Sequence, residues 1–135
     1  MKKKNTKKPV KKPAVKAPVS ACPMEWLGLA PEGVDTAALR DYFKTVPGLD
    51  VECWGKLGVV EVTFPSKRYI DFEAAKPEDM DEALTALMAE KNATTLYFVS
   101  VEPVSTREEQ DFLSETAKAL NMRFVVDNET FTPEI

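Results

Sequence analysis

Hydrophobic residues along this chain follow two periods. From residue 68 onwards a strand-like alternation gives way to apolar positions at Met80, Ala83, Leu84, Leu87 and Met88, and then to the run TTLYFVSVE over 94–102. The middle set is the i, i+3, i+4, i+7, i+8 stripe of a helix with one buried face. Pro77 suits a first helical position, where its missing N–H costs nothing, and Glu78, Asp79, Asp81 and Glu82 favour the positive end of a helix dipole. Asn92 can adopt the left-handed conformation that stops a helix. Strand, amphipathic helix and strand form a βαβ pattern, which commits the domain to a sheet with helices packed on it.

The same periods place the other elements. Residues 24–30 (MEWLGLA) predict a first strand, and residues 31–33 (PEG) a turn. Asp35 is placed to cap a helix, with Val34 and Leu39 as its hydrophobic staple and Leu39, Tyr42, Phe43 and Val46 as its buried stripe. Pro47 and Gly48 end it. Strands over 49–54 and 59–64 flank four residues with glycine at each end, a hairpin signal. In the first of these strands Leu49, Val51 and Cys53 alternate with Asp50, Glu52 and Trp54. In the second, Val60, Val62 and Phe64 alternate with Val59, Glu61 and Thr63. Ile70 and Phe72 mark a further strand over 69–73. The run over 94–102 is the most hydrophobic strand and is expected at the centre of the sheet. Ser105 and Glu108 fit a capping box that opens a third helix, with Phe112, Leu113, Thr116, Ala117 and Leu120 on its apolar face and Asn121 at its end. Met122, Phe124 and Val126 mark a last strand.

This order predicts an α+β domain over 23–128, a ferredoxin-like (split βαβ) sandwich with an additional C-terminal helix and strand. A disordered tail over 1–22 precedes it, and a flexible tail over 129–135 follows. Two helices are expected on one face of the sheet. The third is expected to cover part of the other, where Trp26, Trp54, Tyr69 and Tyr97 would otherwise be exposed.

Charge changes the picture. The formal net charge of −4 over 135 residues conceals a segregation. Residues 1–20 hold eight lysines and no acid, whereas residues 21–135 hold ten Lys/Arg against 22 Asp/Glu, a balance of −12. The tail and the domain are electrostatic opposites. Prolines at 9, 13 and 18 forbid a helix in the tail, and its like charges repel. Val19, Ser20, Ala21 and Cys22 mimic a lipoprotein cleavage site, but lysines and prolines occupy the place of the apolar segment such a signal needs. No apolar run approaches the roughly 18–20 residues that cross a bilayer. Two cysteines are too few for a disulfide scaffold, and a cytoplasmic setting is expected.

Catalytic chemistry finds little to stand on. Histidine is absent, which removes the commonest general base and metal ligand. Cys53 sits in an apolar alternation with no histidine to activate it. Five glycines make no phosphate-binding cradle, and no nucleophile elbow occurs. Asp50, Glu52, Glu61, Asp71 and Glu73 could cluster across strands, yet their spacing fits no calcium loop and reads as a solvated face. RNA-recognition domains share the split βαβ plan. Their Lys/Arg-Gly-aromatic string is missing here, and these acids would repel phosphates. The sequence implies no enzyme, cofactor or metal.

Two kinds of partner remain. The acidic domain is expected to act as a small non-catalytic interaction module, of adaptor or inhibitor type, that receives a basic protein through Trp26, Asp50, Glu52, Trp54, Tyr69, Asp71 and Tyr97. Alternatively Lys2, Lys3, Lys4, Lys7, Lys8, Lys11, Lys12 and Lys16 hold nucleic acid without sequence preference. Their Lys-Pro-Ala composition resembles the basic tails of linker-histone-like and ribosome-associated proteins. No membrane partner is expected.

Overall fold

The computed structural model describes residues 24–102 and 107–135. Six strands lie in one sheet: β1 (Glu25–Ala30), β2 (Asp50–Trp54), β3 (Val59–Thr63), β4 (Tyr69–Ala74), β5 (Thr95–Val101) and β6 (Arg123–Val126). Their order is β2-β3-β4-β5-β1-β6, and every neighbouring pair is antiparallel. Among the described residues three α-helices pack on this sheet: α1 (Thr36–Phe43), α2 (Glu82–Glu90) and α3 (Arg107–Leu120). The domain is therefore α+β. No helix among the described residues is long and apolar enough to cross a membrane.

Two apolar layers hold the sheet, one on each face. The larger contains Leu39 and Phe43 of α1 and Leu113 of α3, packed on Trp26, Val60, Val62, Ile70, Phe72, Tyr97, Val99 and Phe124. Phe43 links the helices to the sheet, with its ring 5.1 Å from that of Phe72 and 5.3 Å from that of Phe112. The smaller layer contains Leu87 with Leu84 and Met88 of α2, packed on Leu27, Leu29, Leu96 and Val125. Strands β1, β5 and β6 are thus covered on both faces, whereas β2, β3 and β4 alternate between buried and open positions. That matches the continuous apolar run expected of a central strand in β5.

Several expectations carry over in detail. Asp35 accepts from the Ala38 N–H at 2.9 Å and caps α1. Asn92 and Asn121 take positive φ angles of 56° and 57° just after their helices. The hairpin β2-β3 pairs Glu52 with Glu61 about a 3₁₀ turn over Gly55–Leu57. The expected tail over 1–22 and the expected Ser105 capping box lie outside the described residues.

Four features differ from the sequence reading. The helix expected from Pro77 is split, because Pro77–Asp79 is a separate 3₁₀ turn and Met80 is extended. The Asp79 carboxylate takes the Lys76 N–H and Asp81 takes the Leu84 N–H at 2.8 Å, so two acids cap two short elements in place of one long one. The strands that α2 joins, β4 and β5, are antiparallel neighbours, and no parallel crossover is made there. Helices α1 and α3 share one face and α2 takes the other, so the aromatic set is divided: Trp26 and Tyr97 lie buried under α1 and α3, at 2% and 0% exposure. The end of the chain is pinned. Val125 bridges to Glu134, the Ile135 N–H donates to the Phe124 carbonyl at 2.7 Å, and Glu134 pairs with Lys91 and Arg123.

Polar contacts fix α3 against the β3-β4 turn. Arg68 pairs with Glu109, which is only 1% exposed, and the Ser66 hydroxyl donates to Glu108 at 2.8 Å. Removing one partner of a buried pair leaves an uncompensated charge, at a cost of about 3–5 kcal/mol. Arg68→Met should therefore destabilise the domain by that amount in urea unfolding, and Arg68→Met with Glu109→Leu should recover most of the loss. A single-variant loss below about 1 kcal/mol would mean that water satisfies Glu109 and the pair is no clamp.

Candidate functional site

Strands β2, β3 and β4 send Val51, Cys53, Val60, Val62, Ile70, Phe72 and Ala74 to the layer under α1 and α3. Alternation sends Asp50, Glu52 and Trp54, then Val59, Glu61 and Thr63, then Tyr69, Asp71 and Glu73, to the opposite face. Helix α2 packs only over the β5-β1-β6 half of that face, so these nine side chains form an open surface. None of them is basic. Trp54 and Tyr69 are 44% and 37% exposed, beside the carboxylates.

Register turns the acids into a row. Glu52 lies opposite Glu61, Glu61 opposite Asp71, Asp71 opposite Ser100, and Ser100 opposite Glu25. Like charges directly across a strand pair oppose sheet formation. The Asp71 carboxyl responds to its burial first and to these neighbours second. Half-buried, hydrogen-bonded to Glu61 and close to Glu61 and Glu73, it is raised from 3.8 to about 6, with burial the largest cause. Asp71 therefore keeps its proton to a higher pH than an ordinary aspartate does.

Beyond Glu73 the surface deepens into a cleft of about 1030 Å³ between α2, the turn before it and the residues after β6. Glu25, Glu73, Glu78, Asp79, Asp81, Asp127 and Glu129 line it, with Lys76 the single cation in the lining among the described residues. Leu84, Phe98 and Phe131 supply an apolar floor. Burial, then Glu25 and Asp81, raises the Asp127 carboxyl above its ordinary value. Such a site, acidic at the rim and apolar below, suits an alkylammonium or guanidinium side chain whose stem is hydrophobic.

Of the residues expected from sequence, Asp50, Glu52, Trp54, Tyr69 and Asp71 come together on the open face, and Trp26 and Tyr97 do not. Tyr97 instead donates its hydroxyl to the Val34 carbonyl at 3.1 Å. The eight tail lysines lie outside the described residues. Glu25, Asp127 and Ser100 were not legible as site residues. Strand alternation puts Glu25 on the same face as Leu27, but nothing local says that β1 lies beside β5. Cys53 is a half-buried free thiol packed against the main core. Among the described residues no three Cys, Asp or Glu side chains are arranged to hold a metal ion.

The pH dependence follows from Asp71. Between its unfolded value of 3.8 and its folded value of about 6, the native state holds a proton that the unfolded state has released. Stability therefore falls as pH rises through that interval. Asp71→Asn removes the half-buried charge together with its repulsion and should raise stability at pH 7 by about 1 kcal/mol, discounted for partial exposure, with no gain near pH 4. Urea midpoints over this range measure it, and a gain independent of pH would exclude carboxylate repulsion as the cause. Comparison of the chain with protein families, with curated proteins and with solved structures finds no match.

Proposed function

We propose that the domain is a small non-catalytic interaction module that receives a basic protein segment on the open acidic half of its sheet. The observation that carries this reading is the row Glu52, Glu61, Asp71 and Glu25, which has no cation among the nine outward residues of β2, β3 and β4. A cationic partner would offset the repulsion within that row, and the exposed Trp54 and Tyr69 offer it ring faces. The cleft beside Glu73 would take side chains from the same partner. Among the described residues β2 is an edge strand, whose outer backbone groups are open to a partner at one side. A cytoplasmic setting, with Cys53 reduced, suits the cysteine usage.

The ferredoxin-like plan belongs to this proposal. Its support is one split βαβ unit, made with the helix and strand expected as the addition: β5 and β6 flank β1, run parallel to each other and are joined through α3. Such a plan carries no function by itself.

Binding of an oligolysine peptide to the full chain, followed by Trp fluorescence and by calorimetry, tests the surface. Glu61→Gln with Asp71→Asn and Glu73→Gln should weaken it by about tenfold or more, and affinity should fall steeply between about 50 and 500 mM salt. Equal binding by the neutralised variant would remove the open face from consideration.

A second reading rests on the tail, whose eight lysines could hold nucleic acid while the acidic domain repels it. Full-length protein should then bind single- and double-stranded nucleic acid with a slope of log affinity on log salt bounded near −7. A variant lacking residues 1–20 should bind none. Retained binding in that variant would place the contact on the domain.

A further inference from the structure

We propose that residues 1–22 of this chain dock across the open acidic half of the sheet in cis, so that the protein carries its own basic competitor for that surface. The inference rests on the reading of this face as a receptor for basic segments, and it names the first occupant.

Three observations select the tail. The first is where it joins the domain. β1 begins at Glu25, whose side chain alternates with Trp26 and so lies on the same face as the acidic row, at its end and in the wall of the cleft. The lysine-rich segment therefore enters the fold at the rim of the acidic surface. The second is charge. Residues 1–20 carry eight lysines and no acid, and the outward positions of β2, β3 and β4 carry five carboxylates and no base. Lysine stems can lie along Trp54 and Tyr69 while their ammonium groups reach Glu52, Glu61 and Asp71.

The third is reach. From β1 to β2 is four strand spacings, about 19 Å. Twenty-two residues extend to about 70 Å at most, so the tail spans the face with slack. Tethering gives it an effective concentration on the order of millimolar, enough for a weak charge-driven contact to stay occupied at low salt. A separate basic partner must then displace the tail, which raises the threshold for binding and makes it depend on salt.

The experiment compares amide spectra of the full chain with those of a full chain in which all eight tail lysines are replaced by glutamine. At about 20 mM salt the shifts should differ at Glu52, Glu61, Asp71, Glu73 and the Trp54 indole, and the differences should collapse near 500 mM. The glutamine variant should also bind added oligolysine about tenfold more tightly than the native chain. Domain spectra that superimpose at low salt overturn the proposal. If oligolysine still binds the face in that case, the surface reading stands and only the tail's occupancy fails; if it does not, both fall. A nitroxide on Thr6→Cys, in a chain carrying Cys22→Ser and Cys53→Ser, separates cis from trans. Broadening of the Glu61 and Asp71 amides should occur within one chain and be absent when labelled and isotope-enriched chains are mixed. Equal broadening in the mixture overturns docking in cis and assigns the face to the tail of a second copy.

Discussion

A helix is about 10 Å across and covers two to three strands, whereas six strands span about 24 Å. Two helices therefore suffice for one face of this sheet and one helix leaves the other face half open. The placement of α1 and α3 together, with α2 alone opposite, is the constraint on which the rest depends. It buries Trp26 and Tyr97, it makes β5, β1 and β6 apolar on both sides, and it leaves β2, β3 and β4 with one wet face. The aromatic contacts of Phe43 with Phe72 and Phe112 hold that placement from the larger layer.

The electrostatics follow from the same geometry. The chain pairs the buried Glu109 with Arg68. Where it pins its end it does so with opposite charges, and Lys91 and then Arg123 hold the Glu134 carboxyl below its usual range. On the open half-sheet it does the reverse and aligns acids across strands whose outward positions hold no cation, with Lys76 of the following turn reaching Glu73 at 3.5 Å. Two carboxyls near that surface, Asp71 and Asp127, are pushed upwards by burial and by neighbouring acids. The cationic occupant proposed for this face would relieve the repulsion within the row.

Much of this was legible from residue order alone. Period-2 alternation located every strand to within a residue or two, and Asp35, Asn92 and Asn121 marked helix ends for the reasons that capping chemistry supplies. The failures share one cause. The split at Met80 arose because Asp79 and Asp81 each found a nearby backbone N–H, a local competition that the apolar stripe conceals. The pinned terminus depends on Glu134 meeting Lys91, 43 residues away, which no local pattern encodes.

By itself the sequence determined which residues alternate, which segments are helical and that a basic tail precedes an acidic domain, because these are set by side-chain type and spacing. Only the tertiary structure decided that β5 lies between β4 and β1, and that α2 stands alone on its face. Strand neighbours and helix faces are chosen by contacts between distant segments, and those contacts alone brought Glu52, Glu61, Asp71 and Glu25 into one row.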